Sequence, residues 1–579
     1  MPFVPMRTLF LTRTVQPATL RDMSNLLSRR DWLGLLSTAS LGSRVLASGS
    51  PLPADEQPAG AAPDLGARVY NVRDHGATGD GRTLDTAAVQ TAIDACHHDG
   101  GGTVLVPAGV FHIGTIEMKS HVTLHVAAAG TLLGSADGKQ YHAVDAIPLR
   151  GDPTLGDGNW ALIFAVDAKN FAIEGPGLID GQGLQFHSPT RGVPPPSGLG
   201  GNSRPYHLLF HRCEHLSVRN LRLFQSAYHS VRVIQSKYVH MDGLHIYNRV
   251  NSNNDGFHFI SAEYVTVSNC HVQTQDDACA LFGSCKFVTV TNSTFSTRWS
   301  VFRFGGGEAE NITVSNCVLH QVYGCPIKFH GSPGSRFERM SFSNLILQDV
   351  TGPITISVGP SQRPDTTANA TPGIVRDISF SNIHGTVTTD PPQLPDVPFP
   401  SQARPGEGHS AIVLNAVGGS IVENITFDNV HLTFGGGGTA EEAARRDVPE
   451  VAGEYFALGP IPAYGLYARN ARGLTLNNVR LEVTRPDLRP AVIFDHVEDA
   501  AISGLSVQGN EQAESVLRFI DSKHALLTAT RLLARAAVFL QVEGSGNQGI
   551  TIDGGDLSRA ASPAAFKNGA TKEAVKIRA

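Results

Sequence analysis

From Leu216 to Val507 apolar and polar residues alternate in short runs, and ten times the alternation pivots on one Asn or Gly before resuming. The phrases read LSVRNLRL, VHMDGLHI, VTVSNCHV, VTVTNSTF, ITVSNCVL, MSFSNLIL, ISFSNIHG, ITFDNVHL, LTLNNVRL and AISGLSV. Their pivots are Asn220, Gly243, Asn269, Asn292, Asn316, Asn344, Asn382, Asn429, Asn478 and Gly504. Alternation with a period of two marks a half-buried strand, and Asn and Gly enter the left-handed αL region at low cost. Each phrase therefore predicts a strand, a one-residue corner and a second strand. The first five spacings between pivots are 23, 26, 23, 24 and 28 residues, the length of one coil of a parallel β-helix, in which each coil pairs with its neighbours. The expected fold is all-β: a right-handed, single-stranded parallel β-helix.

Upstream the period changes. Residues 86–98 place Ala88, Ala92, Ile93 and Cys96 on one helical face behind Asp85 as N-cap, and Gly100-Gly101-Gly102 ends the run. A solenoid must cover its first open coil or expose strand edges, so this helix is the expected N-terminal cap. Three long inserts, at 358–375, 388–408 and 434–462, interrupt the later coils, and loops of that length on a rigid scaffold tend to wall a binding cleft. The second is Pro-rich, a composition also compatible with disorder.

Ser28-Arg29-Arg30-Asp31-Trp32-Leu33 sets a twin arginine before a weakly apolar stretch at 33–46, followed by Val45-Leu46-Ala47 as a cleavage site. This resembles a twin-arginine export signal over residues 1–47, with Met23 as a more typical start, and predicts a periplasmic or extracellular protein. The stretch is too short and interrupted to span a membrane. Residues 48–66 read as a linker, 67–565 as the β-helix and 566–579 as a C-terminal tail.

Composition changes this picture little. The 579 residues are 41% apolar and 17% charged, with 60 Gly, 34 Pro and a net charge of −6, so neither nucleic acid nor an anionic membrane is an expected partner. Seven cysteines without a CxxC pair indicate buried thiols and no metal site, with Cys279–Cys285 as a possible local disulfide. No cofactor is expected, and the protein is expected to be a monomer.

Against this background the informative residues are those that leave the repeat. Asn253-Asn254-Asp255-Gly256 follows the second pivot and Gln275-Asp276-Asp277 the third. Asp255 and Asp276 are 21 residues apart, close to one coil, which gathers three carboxylates on adjacent coils. Like charges so placed keep one carboxyl protonated near neutrality. A protonated carboxyl beside an ionised one is what glycosidic cleavage requires.

With these residues the chain resembles glycoside hydrolase family 28, the polygalacturonase family, on the pectin-lyase-like solenoid. The opening phrases VRDHGATGDGRTLDTAAVQTAIDAC and GGGTVLVPAG carry the likeness too, as do Pro462-Ala463-Tyr464-Gly465 and Asp487-Leu488-Arg489-Pro490, which look like bacterial members. The family's Asn-x-Asp-Gly and Asp-Asp are present. Its Gly-His-Gly is replaced by Thr297-Arg298-Trp299 and its Arg-Ile-Lys by Pro326-Ile327-Lys328. The resemblance implies inverting hydrolysis of a pectic polysaccharide, galacturonan or rhamnogalacturonan. Asp277 would be the acid, with Asp276 the alternative, and Asp255 with its partner the base. Arg298, Arg303, Lys328 and Asn253 would bind substrate, and Trp299 is a candidate sugar platform. His258 and His271 lie on strands near the cluster. Two other classes stay open. A lyase on this fold would use the aspartates to hold Ca²⁺ and Arg298 or Lys328 as base; a non-catalytic solenoid would only bind glycans.

Overall fold

A computed structural model describes residues 68–144, 159–188, 192–361, 371–394, 396–397 and 403–578. The expected export signal and linker lie outside the described residues. Among the described residues the strands form two parallel sheets, one of 15 strands and one of 26, running the length of a right-handed β-helix. The larger sheet joins two faces of the coil through the predicted corners. All ten pivots sit in the αL region, with φ between 49° (Asn478) and 68° (Gly504). Side-chain amides then link corner to corner: Asn344 donates to Asn316 (3.1 Å), Asn382 to Asn344 (3.1 Å), Asn429 to Asn382 (2.8 Å) and Asn478 to Asn429 (2.9 Å). Inside the coil the alternate residues stack in files, as Phe342, Phe380 and Phe427 do at 5.2 and 5.1 Å between ring centroids.

The capping helix α1 runs Thr86–His98 and buries Val89, Ala92, Ile93 and Cys96 in the same core as the first coil. Asp85 precedes it but makes no side-chain cap bond. Its carboxylate instead accepts from the Thr78 and Gly79 amides at 2.7 and 3.0 Å, pinning the Gly-rich turn ahead of the helix. All seven cysteines are free and buried, so the Cys279–Cys285 disulfide does not form. The boundary expected at 565 dissolves as well. Ala560–Lys567 pairs with Ala536–Glu543, and Val575–Arg578 with Ile550–Asp556, so the coils continue through the predicted tail. No described helix is long and apolar enough to cross a membrane.

Six neighbouring strands of the smaller sheet position the site: β1 (Val231–Ile234), β2 (Phe257–Ile260), β3 (Cys279–Phe282), β4 (Ser300–Gly305), β5 (Cys325–Gly331) and β6 (Ile354–Val358). Their register aligns Arg232, His258, Ala280, Arg303, Lys328 and Thr355 in one file across the sheet. The third insert adds α2 (Ala440–Ala444), closed by a Thr439–Glu442 capping box, and the short α3 (Tyr455–Leu458), led by Glu454.

Candidate active site

The three aspartates stand just before β2 and β3. Register places Phe257 opposite Cys279, and the Gly256 amide donates to the Asp277 carbonyl at 2.9 Å. Asp255 therefore faces Asp277 one strand step away, about 4.8 Å, and Asp276 faces Asn254. One coil here is a residue longer than the separation of Asp255 and Asp276, which shifts the pairing expected from sequence by one.

Local chemistry fixes these carboxylates. Asn254 is fully buried; its Oδ1 accepts from the Val250 and Asn251 amides (3.0 and 2.6 Å), and its Nδ2 donates to the Ser226 and Tyr228 carbonyls (3.0 and 2.7 Å). That staple holds the loop that presents Asp255. Gly256 is required because a Cβ there would meet the Ala278 carbonyl at 2.4 Å. Thr274 and Thr297 hydroxyls both donate to the Asp276 carbonyl, at 2.8 and 2.6 Å.

Each carboxylate has a distinct environment. Asp255 is buried with Oδ2 3.0 Å from His258 Nδ1 and Oδ1 3.6 Å from His229 Nε2. The two imidazoles stack at 4.6 Å, and burial drives both well below the usual histidine value, so both are neutral. Asp277 is buried, with Oδ2 4.0 Å from Arg303 Nε. The Asp276 carboxyl is raised to about 7, first by burial and next by the charge on Asp277. Asp276 is thus the carboxyl that keeps a proton near neutrality, reversing the order of preference between the pair.

The cationic residues are placed less simply than expected. Asn253, in the αL region, reaches Asp276 Oδ2 from Nδ2 at 3.4 Å and accepts from Arg204. Arg298 is buried, and its two Nη atoms each lie 3.0 Å from an oxygen of the fully buried Glu407; it also donates to the Tyr323 carbonyl. Arg298 therefore anchors the Pro-rich insert instead of offering its guanidinium to a substrate. Arg303 Nη1 donates to Glu454 Oε1 at 2.9 Å, and Lys328 Nζ lies 3.2 Å from Glu454 Oε2. Those two cations hold Glu454 down to about 2 against the opposing effect of burial. Lys328 and Arg404 each sit 4.5 Å from the Trp299 ring centroid, and Arg404 also covers Phe456 at 4.8 Å. His271 points away, bonding Thr294 on the other sheet. Sequence reasoning missed His229, Arg404, Glu407 and Glu454. His229 left no spacing signal, and the other three arrive on inserts outside the repeat.

Among the described residues the one three-ligand cluster suited to a metal is His229, Asp255 and His258. Calcium takes oxygen ligands, and Arg232 and Arg303 already depress His258 by their charge, so this donor set does not fit the lyase alternative.

The family model for glycosyl hydrolases family 28 matches residues 96–395, just over half the chain. The chain belongs to this family. It is 26% identical over 336 residues to an exopolygalacturonase of Zea mays, covering 55% of this chain and 77% of that one. An exopolygalacturonase of Platanus acerifolia is 24% identical over 397 residues, 67% of this chain and 96% of the other. In structure it is similar to the hyperthermoactive exopolygalacturonase from Thermotoga maritima, with TM-score 0.56 at 19% identity, covering 72% of this chain and 92% of that one. Family membership makes the chain a glycoside hydrolase, and the likeness to the Thermotoga structure supports the β-helix.

Proposed function

We propose that this protein is an exported, inverting hydrolase of pectic polysaccharide, cutting α-linked galacturonate-containing chains from an end. The observation that carries the chemistry is the Asp276 carboxyl, raised to about 7 beside Asp277 and one coil from Asp255. Asp276 protonates the glycosidic oxygen as the bond to the anomeric carbon breaks. Asp255 and Asp277, paired across one strand step, take the proton of a water attacking the opposite face. Such single displacement needs acid and base about 6.5–9.5 Å apart, room for that water. His258, facing an ionised Asp255, keeps its N–H on Nδ1 and steadies the base in one orientation.

Chain-end action is supported by the inserts, which bring Arg404, Glu407 and Phe456 against Arg298 and Trp299 beside the aspartates, and by the names of the relatives. Arg404 has no carboxylate within ion-pair distance among the described residues and stands exposed on two aromatic rings. It is the group suited to a substrate carboxylate. Export rests on the Arg29-Arg30 motif, and mutation of that pair to Lys should retain the protein inside a bacterial host.

The test is to incubate the protein with polygalacturonan and rhamnogalacturonan, with and without EDTA, recording reducing ends and ultraviolet absorbance together. Reducing ends without absorbance, unaffected by EDTA and appearing as mono- or disaccharide, support the proposal. An unsaturated, absorbing product that needs the metal would replace it with a lyase.

A further inference from the structure

Four buried polar atoms around the aspartates have no hydrogen-bond partner among the described residues: Asp277 Oδ1, Arg303 Nε, Lys328 Nζ and Glu454 Oε2. They belong to one cluster. Arg303 lies between Asp277 (4.0 Å) and Glu454 (2.9 Å), and Lys328 lies 3.2 Å from Glu454. Buried polar atoms are satisfied almost without exception in folded proteins, and those that are not call for an explanation such as a ligand. Here the orphans include donors and acceptors, on charges that already cancel between the two cations and two carboxylates.

We propose that this cluster is a subsite for an uncharged sugar unit, a neutral sugar or a methyl-esterified galacturonate, with Glu454 as the residue that sets this specificity. The inference rests on the pectic hydrolase reading above. A sugar hydroxyl both donates and accepts, so one hydroxyl can donate to Glu454 Oε2 while accepting from Lys328 Nζ, and another can bridge Arg303 Nε and Asp277 Oδ1. An ionised uronate carboxylate only accepts. It would find both cations already paired and would meet the Glu454 carboxylate, which stays ionised across the working range because its proton affinity is held down to about 2. Like charges brought together in a water-poor site are repelled, and discrimination of this kind excludes the wrong partner as much as it attracts the right one. Sequence alone gave Lys328 and Arg303 the opposite preference. The carboxylate that changes it arrives on the third insert.

The experiment compares kcat/KM on unesterified oligogalacturonate, fully methyl-esterified oligogalacturonate and an alternating rhamnose–galacturonate oligomer, for wild type and Glu454→Gln at pH 6. Wild type should favour at least one uncharged-unit substrate over unesterified oligogalacturonate by about tenfold or more, and which of the two it favours identifies the source of the uncharged unit. Glu454→Gln, which frees two cations, should shift the ratio toward the unesterified substrate by a similar factor. Wild type preferring unesterified oligogalacturonate would overturn the inference, as would a Gln variant that loses all three activities in parallel. If Glu454→Gln does not fold, the wild-type ranking decides alone. Cleavage of none of the three would strike the hydrolase reading instead. The subsite is then judged by calorimetric affinities of the same oligomers for Asp276→Asn protein, where tighter binding of the uncharged forms supports it and tighter binding of the unesterified form rejects it.

Discussion

At the scale of the residue, three aspartates divide one task because their surroundings differ. Asp255 is flanked by two neutral imidazoles, Asp277 lies 4.0 Å from an arginine, and Asp276, beside Asp277, is raised to about 7. Replacing any of the three by Asn should lower kcat by about a thousandfold or more, since each removes an acid or a base from the transition state. Circular dichroism and the melting temperature should stay near wild type, and a variant that keeps a tenth of its turnover would remove that residue from the mechanism. The pH profile follows from the acid. Asp276 must carry its proton to act, so kcat should fall as pH rises through about 7, and the shoulder should move when neighbouring charge is altered. A rate that holds constant from pH 6 to 9 would assign the proton elsewhere. Arg404→Ala should raise KM for galacturonan about tenfold with little change in kcat, an effect that weakens in high salt.

At the scale of the element, the corners and the inserts use polar groups for different ends. Asn382 both donates to Asn344 and accepts from Asn429 while holding φ at 53°. Asn382→Val should cost about 2–4 kcal/mol, from αL strain on a β-branched side chain and two lost amide bonds, visible as a lower midpoint in thermal unfolding. Arg298 and Glu407 are buried opposites, so Arg298→Met should destabilise by roughly 3–5 kcal/mol by stranding a buried carboxylate, with much of that recovered in the Arg298→Met, Glu407→Gln double variant. The periodic elements were legible in sequence because each repeats one local rule, period-two alternation broken by an αL-tolerant residue. The aspartates stood out as departures from that rule. His229, Glu407 and Glu454 did not, because nothing local ties them to the aspartates or to the cations they meet, and only chain reversal over one coil or a long insert brings them together.

At the scale of the whole molecule, the β-helix is a stack whose ends must be closed. Helix α1 buries Val89, Ala92, Ile93 and Cys96 over the first coil. Ile93→Asp should loosen that cap, expose strand edges and drive concentration-dependent association, measurable by light scattering before any loss of strand signal. The chain's own sequence determined the coil, its corners, the capping helix and the presence of three gathered carboxylates, because all of these follow from short-range patterning and the near-constant length of a coil. Tertiary structure alone decided which aspartate keeps the proton, since that depends on burial and on a one-residue shift in register between Asp255 and Asp277. It also decided what the cations face. Arg298, Arg303 and Lys328 read as free positive charges along the chain, yet Glu407 and Glu454, some 80–150 residues distant, neutralise them, and Coulomb interaction depends on separation in space, which sequence distance does not report.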